Sequence, residues 1–312
     1  MAVNKVAGYP DLTGGGTSKY IGQIYSKQTI LKWLDEAIAP AITMQQLAKD
    51  LINAGDTIYI TTDPDPTVSD YTINMEVDWE LLETPAVTMT IDYAEYVAFR
   101  YDKISLKQFF TDKLGQATTK SSQKLAIATD VKLLNNVAGS ADAANKGNSA
   151  GRKFAGYPIG VTGTPAVINK TVVLDYITHC DSVAGEQNWP KSDRWIAIPQ
   201  VMSNLISRSD LRNASLSGDG KTTLKNGYMG QLGNMNIYNT NLYTTVSDGG
   251  LTCYNILFGH KEAITFINQL QEMENHEKFE RTFGRGMKGL HVYGFKVTKP
   301  EALGVLYATF TV

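Results

Sequence analysis

The chain has 312 residues, 43% of them hydrophobic, with 29 Lys and Arg against 31 Asp and Glu and a formal net charge of −2. That allows a sizeable core in one large or two ordinary domains, and the absence of any Lys/Arg run argues against a dedicated nucleic-acid groove. Cys180 and Cys253 give no disulfide framework and fit a reducing compartment. No apolar run approaches the roughly 18 residues of a membrane span, and no signal peptide opens the chain, so it reads as soluble and cytoplasmically made.

Residues 1–26 mix Gly14-Gly15-Gly16 with small polar residues and read as a flexible arm, with Tyr20, Ile21, Ile24 and Tyr25 as docking residues. Short helical stretches follow over 28–37 and 44–52, separated by Pro40, with Leu31, Trp33 and Leu34 as anchors. Gly55-Asp56 opens an alternating strand over 57–61. Asp63-Pro64-Asp65-Pro66 is a tip that cannot continue a ladder, because each proline removes a donor. A return strand is predicted over 71–79 and another over 87–93. Residues 55–92 thus read as a long ribbon that is marginal in water unless another surface covers it.

The stretch from Ser105 to Gly139 predicts one long helix. Ser105 with Gln108 reads as a capping box and Gly139 as a left-handed cap; Leu106, Phe109, Phe110, Leu114 and Ala117 recur at spacings of three and four, and Leu125, Ala128, Val131, Leu134 and Ala138 do the same after a polar middle. Its middle, Thr118, Thr119, Ser121 and Ser122, is polar and reads as a bend. At about 1.5 Å per residue the rod would span roughly 50 Å, longer than one core needs.

A Gly/Asn/Ala-rich linker precedes a second, mixed subdomain over 159–258. It holds helices over 172–183 and from 201, a buried strand at Trp195–Ile198, a polar loop at 211–226, and strands over 233–245 and 251–258. Residues 259–275 read as an amphipathic helix, with Ala263, Phe266, Ile267, Leu270 and Met273 on one face. Strands over 290–297 and 303–310 close the chain.

Catalytic signals are weak. Gly284-Arg285-Gly286-Met287-Lys288-Gly289 matches GxGxxG literally but precedes a strand, so it reads as a flexible glycine loop rather than a dinucleotide site. His276-Glu277 lacks the second histidine of a zincin, and the four histidines show no ligand spacing. Asp63 and Asp65 lack the glycine and terminal glutamate of a calcium loop and read as an ordinary acidic tip. No catalytic residue, cofactor or metal is predicted, and the chain reads as a non-enzyme.

The order of elements resembles the major capsid proteins of tailed bacteriophages, the Hong Kong 97-type fold. The resemblance is carried by GDTIYI, AVTMTIDYAEYVAFRYDKIS, the long helix, DRWIAIPQVMSNLI, NGYMGQLGNMNIYNTNLY and YGFKVTKPEALGVLYATF. It implies an α+β fold with an N-terminal arm (1–54), an extended β-hairpin loop (55–92), a peripheral domain with the spine helix (93–158), an axial domain (159–258) and a peripheral return (259–312). Copies would form hexamers and pentamers through the axial domain, while the loop and arm overlap neighbours in a shell, assembled in the host cytoplasm, that encloses DNA without sequence-specific binding.

The resemblance also implies portal and decoration partners. The expected assembly contacts are Tyr20, Tyr25 and Trp33 on the arm and Asp63, Asp65, Tyr71 and Trp79 on the loop. Each also has a plain reading as a packing or solvated residue, and Trp33 and Trp79 read as partly core. The family's type member links subunits through a loop lysine. This chain has no lysine between Lys49 and Lys103, so no such cross-link is expected. No long helical segment precedes the arm, so a scaffold is expected to be a separate protein or a segment already removed. An encapsulin-type nanocompartment shell is the alternative, and an enzyme a more distant one.

Overall fold

The computed structural model describes residues 37–45, 57–61, 64, 66–84, 86–108, 113–209, 228–279 and 282–311. Three sheets and one long helix organise them. The first is a two-stranded hairpin of β1 (Thr57–Thr61) and β2 (Ala86–Thr90), antiparallel with Thr57 opposite Thr90 and Thr61 opposite Ala86. The second has three antiparallel strands in the order β10 (Ile264–His276), β11 (Gly284–Val297), β3 (Tyr93–Asp102). The third has seven strands. Its path runs β4 (Ala166–Ile168), β12 (Leu303–Phe310), β9 (Leu251–His260), β5 (Arg194–Pro199), β7 (Met235–Thr240), β6 (Tyr228–Leu232), with β8 (Thr245–Asp248) also paired to β9. The architecture is α+β.

Strand β5, RWIAIP, is buried at every position, as its continuous apolar run demands for a central strand. Helix α4 (Val173–Glu186) buries Val173, Ile177, Cys180 and Val183, and α5 (Gln200–Ser207) buries Met202, Leu205 and Ile206. Each fully buried aliphatic side chain contributes about 1.5–3 kcal/mol relative to exposure. Arg194 is buried but satisfied: its guanidinium donates to Asp181 Oδ1 at 2.7 Å and to the carbonyls of Pro190 and Trp189. One apolar cluster runs from Ile38 and Ile42 through Leu133 and Leu134 to Tyr293 and Leu306, joining the three- and seven-stranded sheets.

The long helix is α3 (Lys113–Asn136), preceded by α2 (Lys103–Gln108), with 109–112 outside the described residues. Its polar middle is satisfied within the helix. The hydroxyls of Thr119, Ser121, Ser122 and Thr129 donate to carbonyls one turn back, and α3 runs uninterrupted. The start differs from the expected capping box: Ser105 lies inside α2, and Asp102 Oδ1 accepts the Ile104 N–H at 2.8 Å instead. Gly139 lies in a 3-10 turn, Ala138–Ser140, rather than in a left-handed cap.

Four further expectations are corrected. Residues 264–276 form strand β10, not a helix, because they pair with β11 across its length. The GRGMKG stretch opens β11 rather than a loop. A Cβ on Gly286 would lie 2.6 Å from the Phe99 carbonyl oxygen, so glycine is what lets β3 approach here. Pro40 lies within the short helix α1 (Ala39–Ile42) rather than between helices, while Met44 bridges to Thr265. Residues 71–79 form no strand; the partner of β1 is β2. In addition, the 259–312 segment divides between two sheets, since β12 lies between β4 and β9 in the seven-stranded one.

Candidate functional site: assembly surfaces

Among the described residues the hairpin is pinned at its base, where Ile58 and Met89 pack against Ile267 of β10 with Ile60 and Ile91 beside them. Beyond it the chain from 66 to 84 is exposed throughout. Its two limbs touch where Thr67 donates its N–H (3.0 Å) and hydroxyl (3.2 Å) to the Glu80 carboxylate. A turn at Asn74, φ 69°, is closed by the Met75 N–H on the Thr72 carbonyl at 3.0 Å.

Tyr71 is 68% exposed and Trp79 94% exposed, which overturns the partly-core reading of Trp79. Sequence reasoning missed their companions: Val68, Ile73, Met75, Val77, Leu81 and Leu82 are exposed with them. The signal was the alternation of apolar and polar residues, attributed to a strand with a partner in the same chain. Tyr20, Tyr25, Trp33, Asp63 and Asp65 lie outside the described residues. A run of exposed apolar side chains of this kind marks an interaction surface.

Helix α3 is seated on the three-stranded sheet through a second set of side chains. Lys132 Nζ lies 2.8 Å from Glu95 Oε1 and 5.4 Å from the centre of the Tyr93 ring. Tyr93 stacks on Phe295 at 4.7 Å, and Tyr293 stacks on His291 at 4.7 Å. The Thr129 hydroxyl, its hydrogen on the Leu125 carbonyl, accepts from His291 Nδ1 at 3.2 Å. Burial holds the His291 pKa below its ordinary value, against an opposing pull from Glu95. Burial, reinforced by the Glu95 charge, pushes the Tyr293 phenol up. The other face of β3 is open, with Tyr96 79% exposed.

A polar cleft of about 440 Å³ lies between α1 and the 260–262 turn, lined by Asp193, His260, Lys261 and Glu262. His260 Nδ1 is occupied by the Glu262 N–H at 3.3 Å, and Glu262 by Lys299 at 2.8 Å. Among the described residues no three His, Cys, Asp or Glu are grouped to hold a metal, and no helix is long and apolar enough to cross a membrane. Burial and the neighbouring Asp181 push the Cys180 thiol far up, leaving it inert as a nucleophile at neutral pH.

No protein-family model matches the chain, and no curated protein matches it by sequence. Solved structures do. A chain of Mycobacterium phage Che8 is 20% identical, with a TM-score of 0.72 over 95% of this chain and 98% of that one. The capsid structure of Cyanophage P-SCSP1u is 17% identical, with a TM-score of 0.66 over 97% and 98%. The capsid asymmetric unit of Cyanophage Pam1 is 10% identical, with a TM-score of 0.68 over 96% and 98%. Likeness at such low identity establishes architecture, end to end: the chain has the Hong Kong 97-type fold found in phage capsids.

Proposed function

We propose that this chain is the major capsid protein of a tailed bacteriophage, assembling as hexamers and pentamers into an icosahedral head shell around the genome. The observation that carries the reading is the end-to-end likeness to solved phage structures, the capsids of Cyanophages P-SCSP1u and Pam1 among them. The same likeness favours a phage head over an encapsulin compartment, and a structural role over an enzymatic one. The exposed loop supports it too, since an uncovered apolar strip is costly in a monomer and useful in a polymer.

In this reading the seven-stranded sheet belongs to the axial domain, and the three-stranded sheet with α3 to the peripheral domain. The C-terminal strand β12 returns to the axial sheet. The arm and loop, with Tyr20, Tyr25, Trp33, Asp63, Asp65, Tyr71 and Trp79, meet adjacent subunits. Symmetry closes many modest contacts of about 1,000 Å² or more into a stable shell. A separate scaffolding protein, a portal and decoration proteins are its partners. DNA is enclosed rather than read, and assembly precedes release from the host cytoplasm.

Expression of the chain in bacteria, alone and with the scaffold encoded beside it, followed by negative-stain microscopy, tests this. Closed particles, or five- and six-fold rings that close on adding the scaffold, are expected. Particles that carry a co-encoded cargo enzyme and no DNA-packaging partner would move the assignment to an encapsulin.

A further inference from the structure

Where helix α3 crosses the three-stranded sheet, the seam is polar. Lys132 of α3 meets Glu95 and Tyr93 of β3, and Thr129 of α3 meets His291 of β11. His291 and Glu95 are register partners on adjacent strands, so their Cβ atoms lie about 4.5–5.5 Å apart. Both side chains point at the helix, since each is bonded to it.

The two are unequally engaged. Glu95 gives Oε1 to Lys132 at 2.8 Å, while its Oε2 is buried and accepts no hydrogen bond. His291 is 7% exposed and uses its Nδ1 proton on Thr129, which leaves Nε2 without one. A buried carboxylate oxygen that lacks a donor is costly, and the ring opposite it is one proton short of being that donor. Among the described residues the other groups packed against His291 do not take that part. Tyr293, stacked on it at 4.7 Å, is kept neutral by burial and the Glu95 charge. Gln271, opposite it on β10, carries no charge. Asp130 of α3 is occupied by the N–H groups of Ile38 and Ala39.

We infer that the seam is an acid-released clasp: on taking a proton at Nε2, His291 captures the Glu95 carboxylate, Lys132 is let go, and α3 loses its ionic hold on β3. Lys132 is free to leave, because its side chain is 40% exposed and its ammonium turns to water, whereas Glu95, at 14%, stays in the seam. Burial, the larger influence on His291, sets the change below the ordinary histidine range, against the pull of Glu95. Leu133 and Leu134 stay in the main core and Asp130 keeps its hold on Ile38 and Ala39, so the helix shifts on the sheet without unfolding. The inference concerns the subunit and holds whether or not the shell reading does.

Hydrogen exchange of the full-length chain, read by mass spectrometry from pH 7.5 to pH 5 and corrected for intrinsic rate, tests it. Peptides of 113–136 are expected to exchange about tenfold faster at pH 5 in the wild type, with 173–186 of α4 unchanged. His291→Gln should abolish the acid response, and Lys132→Met should loosen 113–136 already at pH 7.5. Where His291→Gln does not fold, histidine-ring NMR of the wild-type and Lys132→Met chains decides: freeing Glu95 from Lys132 should raise the His291 titration by about one pH unit. No acid response in the wild type, a response shared by 173–186, the same response in His291→Gln, or a His291 titration unmoved in Lys132→Met would each overturn the inference.

Discussion

Asp130, buried in the C-terminal half of the long helix, accepts the backbone N–H of Ala39 at 3.2 Å and that of Ile38 with the same carboxylate oxygen. The spine helix therefore holds the entry of the N-terminal segment directly, across 91 positions of sequence. Asp130→Ala would leave both N–H groups buried without an acceptor, a cost of about 2–4 kcal/mol. Urea unfolding of the unassembled subunit is expected to show that loss. Limited proteolysis should cut the variant near residue 38 faster than the wild type.

Trp79→Ala separates assembly from folding. At 94% exposure the side chain makes little contribution within the subunit, so its unfolding free energy should change by less than about 0.5 kcal/mol. Particle yield by light scattering is expected to fall sharply. A variant that assembles normally would remove Trp79 from the interface.

Much of this fold can be read from local pattern, and the failures have local causes. Strand β5 and helices α4 and α5 stand out because their apolar runs and spacing are unambiguous. Strand β10 reads as a helix because a bulge between Asn268 and Leu270 inserts one residue and breaks the two-residue alternation. The resulting sequence of Phe266, Ile267, Leu270 and Met273 then mimics a helical face, and only pairing with β11 decides the matter. Glycine in GRGMKG suggests a loop by composition, whereas its cause is the close approach of β3. For the loop, the alternation over 71–79 suggests a strand, but among the described residues it meets no partner strand and forms none. The edge of β3 was not legible at all, because strand order is a tertiary property.

Gly160 has no substitute. Its φ is +80°, and a Cβ there would lie 2.1 Å from the Tyr307 carbonyl oxygen and 2.7 Å from the Ala166 nitrogen. Both contacts are backbone atoms of the seven-stranded sheet and cannot yield as a side chain would. Gly160→Ala is expected to cost about 3 kcal/mol or more, read as loss of soluble subunit. The same change at Gly163, where nothing lies within 4 Å, meets no clash; its φ of +92° leaves only the cost of backbone strain, so it should be milder.

His291 makes the seam between α3 and the sheet sensitive to acid. Its folded pKa is lowered below 6.5 by burial, so the unfolded chain binds the proton more readily. Stability is then complete above about pH 6.5 and falls as pH drops from there through the folded pKa. Among the described residues Glu95, Lys132, Tyr93 and Tyr293 are the titratable neighbours at this seam. Subunit stability measured from pH 7.5 to 5 should fall more steeply for the wild type than for His291→Gln. Equal slopes would show that His291 contributes nothing to the acid response.

The shell reading is tested most directly by cryo-electron microscopy of the purified assembly. It predicts closed icosahedral particles, into whose pentamers and hexamers the subunit fits with the loop on its neighbour. A 34.2 kDa species that stays monomeric at all concentrations would contradict it.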